Sequence, residues 1–326
     1  LTHKATIYSE SKAAIAGGVT SFMEQPNTKP AALTQDLLAK KYEIAAATSL
    51  ANYTFFMGTS NDNYEEVMKT DFTNVGALKI FMGSSTGNML VDDEHILNKI
   101  FANLNGVIVT HCEDEQTIKT NTAYYQNKFG DNIPMNYHPV IRSDEACYKS
   151  SELAVSLAKK HQARLHIFHV STAKELALFN NTIPLKEKKI TAEVCVHHLF
   201  FEEKDYAVLG SKIKCNPAIK YQTDKTALLQ ALLDDRLDVI ATDHAPHSLE
   251  EKNNPYLTAP SGLPLVQHSI NLMLDFYHQG KISLEKIVEK MCHAPAVCFR
   301  IKERGFLREG YFADIAVLDI HAPLTV

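Results

Sequence analysis

LDVIATDHAPHSLEEK, residues 237–252, is the stretch on which the fold of this chain turns. Its opening, Leu237–Ala241, is a largely apolar run with β-branched residues, the pattern of a short buried strand. Asp243, His244 and His247 follow at once, and Pro246 stops any helix there. An acid and imidazoles at the mouth of a buried strand cost free energy unless something pairs with them. Three other apolar runs end the same way: Lys79 in GALKIFMG, His111 in VIVTHCEDE and His169 in LHIFHVST. A single such histidine is ordinarily a hydrogen-bonded core residue. Four strand-like segments, each delivering one potential metal ligand, point instead to a shared site.

Working outward, strand and helix alternate. Strands are expected at 19–25, 51–58, 76–82, 107–113, 164–170, 190–196 and 237–243. Helices are expected at 3–16, 33–47, 62–69, 92–103, 143–161, 171–179, 222–235, 263–279 and 283–292. This alternation predicts a parallel sheet with crossover helices. An open doubly wound sheet gathers its ligands at one switch point, whereas a closed barrel brings every strand end to one mouth. Lys79, His111, His169 and Asp243 come from four different strand ends, so the reading is a (β/α)8 TIM-like barrel. Seven strands are counted, and the eighth is expected before Leu1, which is itself not a methionine.

The 45% hydrophobic and 22% charged content is that of a soluble globular protein. A net charge of −5 argues against a nucleic-acid or polyanion surface. No apolar run approaches the roughly 20 residues that span a bilayer, and no basic–apolar leader is present, so no membrane association is expected. The cysteines at 112, 147, 195, 215, 292 and 298 form no CxxC pair, which suits reduced thiols in a cytoplasmic protein.

Several longer stretches carry a family resemblance. LTHKATIYSESKAAIAGGVTSFMEQPNTKP (1–30), KCNPAIK (214–220), ATDHAPHSLEEK (241–252) and GFLREGYFADIAVLD (305–319) resemble, in order, the bacterial-type dihydroorotases of the amidohydrolase superfamily. Hydantoinases and allantoinases share the metal motifs and are the near alternatives; a non-catalytic dihydroorotase-like scaffold is another. In that family the first strand ends in His-x-His-x-Arg, which has no counterpart here. The resemblance implies a barrel over residues 1–300 and, from the turn at Glu309–Gly310, the start of a small β-sandwich over 301–326.

What it implies for the chemistry is specific. Lys79, carboxylated by carbon dioxide, would bridge two zinc ions; a buried lysine loses its proton readily enough for that. His111 and His169 would ligate the second metal, and Asp243 the more buried one. Asp243 would also take the proton of the attacking hydroxide and pass it to the leaving amide nitrogen as dihydroorotate opens to N-carbamoyl-aspartate, a reversible step of pyrimidine biosynthesis. Asn27, Asn216, His247, Ser261 and Gly262 would line the substrate pocket, although Pro26–Asn27 and Asn216–Pro217 are also ordinary turn dipeptides. His166, three residues before His169, is expected on the opposite face in a structural role. His197 and His198 are left outside the ligand set. The loop 248–262 reads as a polar lid or binding loop, with Glu250-Glu251-Lys252 on its solvated face. A homodimer, or association with aspartate transcarbamoylase, would follow the family.

Overall fold

The computed structural model of the chain describes residues 2–83 and 88–322. Seven strands make one parallel sheet in chain order: β1 Ser21–Glu24, β2 Asn52–Gly58, β3 Ala77–Phe81, β4 Val107–His111, β5 Arg164–Ile167, β6 Ile190–Cys195 and β7 Val239–Ala241. Helices Gln35–Thr48, Tyr64–Met68, Glu94–Asn103, Asp144–His161 and Gln222–Leu233 carry the chain back between strands. Their starts are set by local chemistry. The side chains of Thr34, Asp93 and Ser143 each accept a bond from a first-turn amide.

Alternation along the strands sorts side chains onto two faces. Leu78, Ile80, Ile108, Leu165, Ile167, Ala192, Val194 and Ile240 join the larger apolar core against the helices. Ala77, Val107, Val109 and Val239 face the other way, into a cluster with Phe56, Phe168 and Phe299. The rings of Phe56, on β2, and Phe168, just past β5, lie 6.0 Å apart. A flat sheet would hold those two strands about 14 Å apart. The sheet is therefore curled, and the second cluster is its interior. Lys79 and His111 share the parity of Ala77 and Val109, so both face inward.

Among the described residues β7 and β1 do not pair. The helix Ile7–Ala16 lies at that seam, where its Glu10 meets His244, just past β7, at 2.5 Å. Gly17 ends this helix so close to Gln267 that a Cβ would stand 2.6 Å from its backbone. No described helix is long and apolar enough to cross a membrane.

Several expectations need correction. The helix expected over 263–279 starts only at Ser269, because Leu263 bridges beside His244 and the Val266 amide donates to His244 Nδ1. The helix expected over 171–179 is a 3-10 turn, Lys174–Leu178. There the buried Glu175 carboxylate collects bonds from Ser151, Ser171 and Thr172 in place of a regular cap. The helix expected over 283–292 runs Leu284–Val288, then passes through a π turn at Glu289–His293 into Ala294–Cys298. The strand-like tail forms no strand between residues 301 and 322, and Phe312, Ile315, Val317 and Leu318 are exposed. An alternating segment needs a paired neighbour to hide its apolar side, and none is present among the described residues.

Candidate active site

His111 closes β4 and His169 follows β5 by two residues, and the two rings meet in the curled interior. His111 Nδ1 lies 3.0 Å from His169 Nε2. On its other side His111 Nε2 donates to Glu113 Oε2 at 2.9 Å, and the Arg142 guanidinium grips the same oxygen at 2.5 Å. Burial alone would raise Glu113, but the Arg142 charge and the His111 bond hold it well below the usual carboxylate range. An ionised carboxylate at Nε2 fixes the proton there and leaves the Nδ1 lone pair facing His169. Burial lowers both histidines, and for His169 the charges of His111 and Lys79 add to it. Both are neutral imidazoles near pH 7, the form that binds metal. His169 Nδ1 is buried without a partner.

Lys79 lies between Phe168 and Phe81, its Nζ 4.0 and 4.7 Å from the two ring centroids. No described residue accepts a hydrogen bond from it. Burial brings its amine down to about 8, against the opposing pull of Asp243 and Glu193. Asp243, two residues past β7, is raised to about 6 by burial, with Lys79 acting the other way. The charge of Lys79 thus reaches Asp243 and both histidines, but among the described residues Asp243, His111 and His169 do not form a group of donor atoms within 4.8 Å of one another. The backbone contributes too, since His169 has φ +37° and Asp243 φ +44°. Left-handed backbone is uncommon outside glycine, histidine and aspartate being among the residues that tolerate it best, and it tends to collect at functional sites.

His166 does not lie opposite. It stands level with Lys79 through Val109 in the strand register, facing the interior. The left-handed turn at His169 breaks the alternation, so both histidines point inward. His166 bonds Thr191 at 2.8 Å and Glu193 at 3.0 Å. Burial opposes its charge, yet the bonds to Cys298 and Glu193 raise it to about 9.

The amidohydrolase family model matches residues 2–325. The dihydroorotase of Pyrococcus abyssi is 32% identical over all of this chain and 70% of its own length. The dihydroorotase of Listeria innocua is 31% identical over 99% of this chain and 75% of its own length. The chain belongs to the amidohydrolase family. Among solved structures, the L-hydantoinase (dihydropyrimidinase) of Arthrobacter aurescens superposes with a TM-score of 0.89 at 24% identity, covering 95% of this chain and 70% of its own. The dihydroorotase of Saccharomyces cerevisiae in complex with 5-fluoroorotic acid gives 0.71 at 18% identity, over 90% of this chain and 79% of its own. These likenesses show that the curled sheet is the TIM-barrel-like amidohydrolase fold.

Four of the five pocket residues expected for this amidohydrolase come together. Ser261 Oγ donates to Asn216 Oδ1 at 3.0 Å, and the Ser261 carbonyl lies 3.2 Å from His247 Nε2. His247 Nδ1 meets Lys4 Nζ at 2.9 Å. Gly262 has φ +144°, and a Cβ there would stand 2.4 Å from the Ala245 carbonyl oxygen. Asn27 is exposed, and no hydrogen bond joins it to the other four.

Three groups escaped the sequence reading. Glu113 and Arg142 orient His111; the signal for Glu113 was its i+2 spacing from a strand-end histidine, whereas Arg142 is distant in sequence and left none. Lys252, expected on a solvated face, is instead buried, with Nζ 3.0 Å from each of the Lys214, Pro260 and Gly262 carbonyls. With Lys214 Nζ bonded to the carbonyls of Tyr256 and Ala259, it ties down the 248–262 loop.

Proposed function

We propose that this amidohydrolase is a dihydroorotase, hydrolysing the cyclic amide of dihydroorotate to N-carbamoyl-aspartate and running the reverse ring closure. The observation that carries the reading is identity of 32% to a dihydroorotase over the whole chain, and the pairing of His111 with His169 supports it. The donor set suits a divalent metal. Two neutral imidazoles face each other, a buried His169 nitrogen lacks a partner, and a carboxyl and a deprotonable amine stand nearby. Lys79 as a carbamate, His111, His169 and Asp243 would hold zinc, which supplies Lewis-acid activation of the carbonyl and of water.

The remaining work falls to the chain. The ammonium of Lys79 first loses a proton, which it does above about 8; the neutral amine then attacks carbon dioxide, a C–N bond forms as one C=O π bond opens, a second proton leaves the nitrogen, and the former cation is an anion. The Glu113–Arg142 pair keeps His111 in one orientation and one tautomer. Asp243, raised to about 6 by burial, would take a proton from the attacking water and return it to the leaving amide nitrogen. Asn216, Ser261, His247 and the tight turn at Gly262 shape the wall toward the substrate, and Asn27 meets the substrate carboxylate from the β1 side.

Assaying zinc-loaded protein on dihydroorotate, hydantoin and allantoin in parallel tests the reading. Turnover of dihydroorotate is expected. Turnover of hydantoin without dihydroorotate would reassign the chain to the hydantoinases, and silence on all three would favour a non-catalytic scaffold.

A further inference from the structure

Beside the expected metal ligands lies a second group of donors that shares none of them. Cys195 closes β6, and His197 and His198 sit in the first turn of the helix that follows, Val196–Phe200. Their exposures are 0%, 1% and 3%. One ligand-type atom from each lies within 4.8 Å of the other two. The two imidazole centroids are 4.2 Å apart.

Hydrogen bonding decides which atoms are left over. His198 Nε2 lies 3.1 Å from the Pro217 carbonyl oxygen, to which it can only donate, so its Nδ1 carries the lone pair. That Nδ1 has no partner, and neither nitrogen of His197 has one. Polar atoms buried without a partner are uncommon, because each gives up its water for nothing. Three in one turn, facing a thiol, call for a common occupant. Burial first, and then the carboxylates of Asp243 and Glu193, push the Cys195 thiol well up, with Lys79 acting the other way, so the sulfur keeps its proton unless a cation replaces it. Burial lowers both histidines, helped at His197 by the charge of His198 and at His198 by that of Lys220 against the opposing Pro217 bond.

We propose that Cys195, His197 and His198 form a separate binding site for a zinc-class divalent cation, which clamps the end of β6 to the first turn of the next helix. One thiolate and two neutral imidazoles are a donor set that zinc and cobalt(II) accept. On binding, the Cys195 S–H bond breaks, its proton goes to solvent and a metal–sulfur bond forms; nothing is oxidised or reduced. The site does not depend on the dihydroorotase reading, because it uses no residue of that centre.

Sulfur is the distinguishing label, since the other expected ligands offer only nitrogen and oxygen. Protein carrying Cys292→Ser, which removes the exposed thiol, is loaded with cobalt(II) and its near-ultraviolet spectrum recorded. A sulfur-to-cobalt charge-transfer band is expected, kept in Lys79→Ala and lost in Cys195→Ser. No band, or a band that survives Cys195→Ser, overturns the proposal. Zinc-edge X-ray absorption on the unaltered chain gives an answer even if Cys195→Ser does not fold. A sulfur scatterer at ~2.3 Å supports the site, and a shell of nitrogen and oxygen alone refutes it.

Discussion

Lys79, at the end of β3, and Lys252, in the short turn of helix after β7, are both shut away from water, at 2% and 4% exposure. Burial brings both amines down to about 8. Their surroundings nevertheless differ in kind. Lys252 gives its ammonium to three carbonyls, so its protons are committed and its lone pair has no use. Lys79 has two aromatic faces and no described acceptor, so its ammonium is held by ring faces and by the more distant charges of Asp243 and Glu193 rather than by hydrogen bonds, and its nitrogen, once deprotonated, is free to react. A lowered pKa therefore does not identify a reactive lysine. The count of acceptors around it does.

Replacing each lysine by methionine should separate the two roles most sharply. Lys79→Met is expected to reduce turnover of dihydroorotate to background while leaving the denaturation midpoint unchanged or higher, since an apolar isostere removes a buried polar group. Lys252→Met strands three carbonyls and should cost about 3 kcal/mol or more of stability, read from denaturant unfolding, with the metal content of the folded fraction unaltered. If both variants lose stability alike, the contrast fails.

A smaller effect is expected at the support behind His111. Arg142→Gln frees Glu113 to rise toward its ordinary value and loosens the hold on the imidazole. Zinc affinity should weaken by about 10- to 100-fold in chelator competition. An unchanged affinity would mean that His111 is oriented by the barrel alone.

The smallest effect is a dependence on pH. Each lysine has a folded value of about 8 against an ordinary 10.5. Between these values the unfolded chain binds more protons, so stability rises with pH through that window. Lys252→Met should flatten the rise in any buffer. Lys79→Met should flatten it with or without carbon dioxide, because the folded lysine carries no ammonium in that window either as amine or as carbamate, whereas the unfolded one does. Unfolding curves collected across the window, with and without bicarbonate, check both outcomes.

The order of strands and the inward placement of Lys79 and His111 could be read from the sequence, since both rest on period-2 alternation inside strands. His166 could not, because the alternation was carried through Phe168 to a residue whose backbone turns left-handed, and no local signal marks that turn. Lys252 was misread for a related reason. Glu250-Glu251-Lys252 is a run of charges like any solvated face, and the carbonyls that accept from Lys252 lie in Lys214, Pro260 and Gly262, brought together only by the folded loop. The tail beyond residue 300 shows the limit of the same pattern. Its alternation is real, but a strand also needs a neighbour, and a local pattern does not supply one.

The positive φ angles at His169 and Asp243 narrow what this scaffold can become. At Lys79 or His111 a designer may choose a replacement on the chemistry of the side chain alone. At the other two positions the backbone vetoes most candidates beforehand, β-branched residues above all, and leaves asparagine, aspartate, histidine and glycine as the easy occupants. The proposed centre is thus open to redesign from the β3 and β4 side, and nearly closed from the side of β5 and β7.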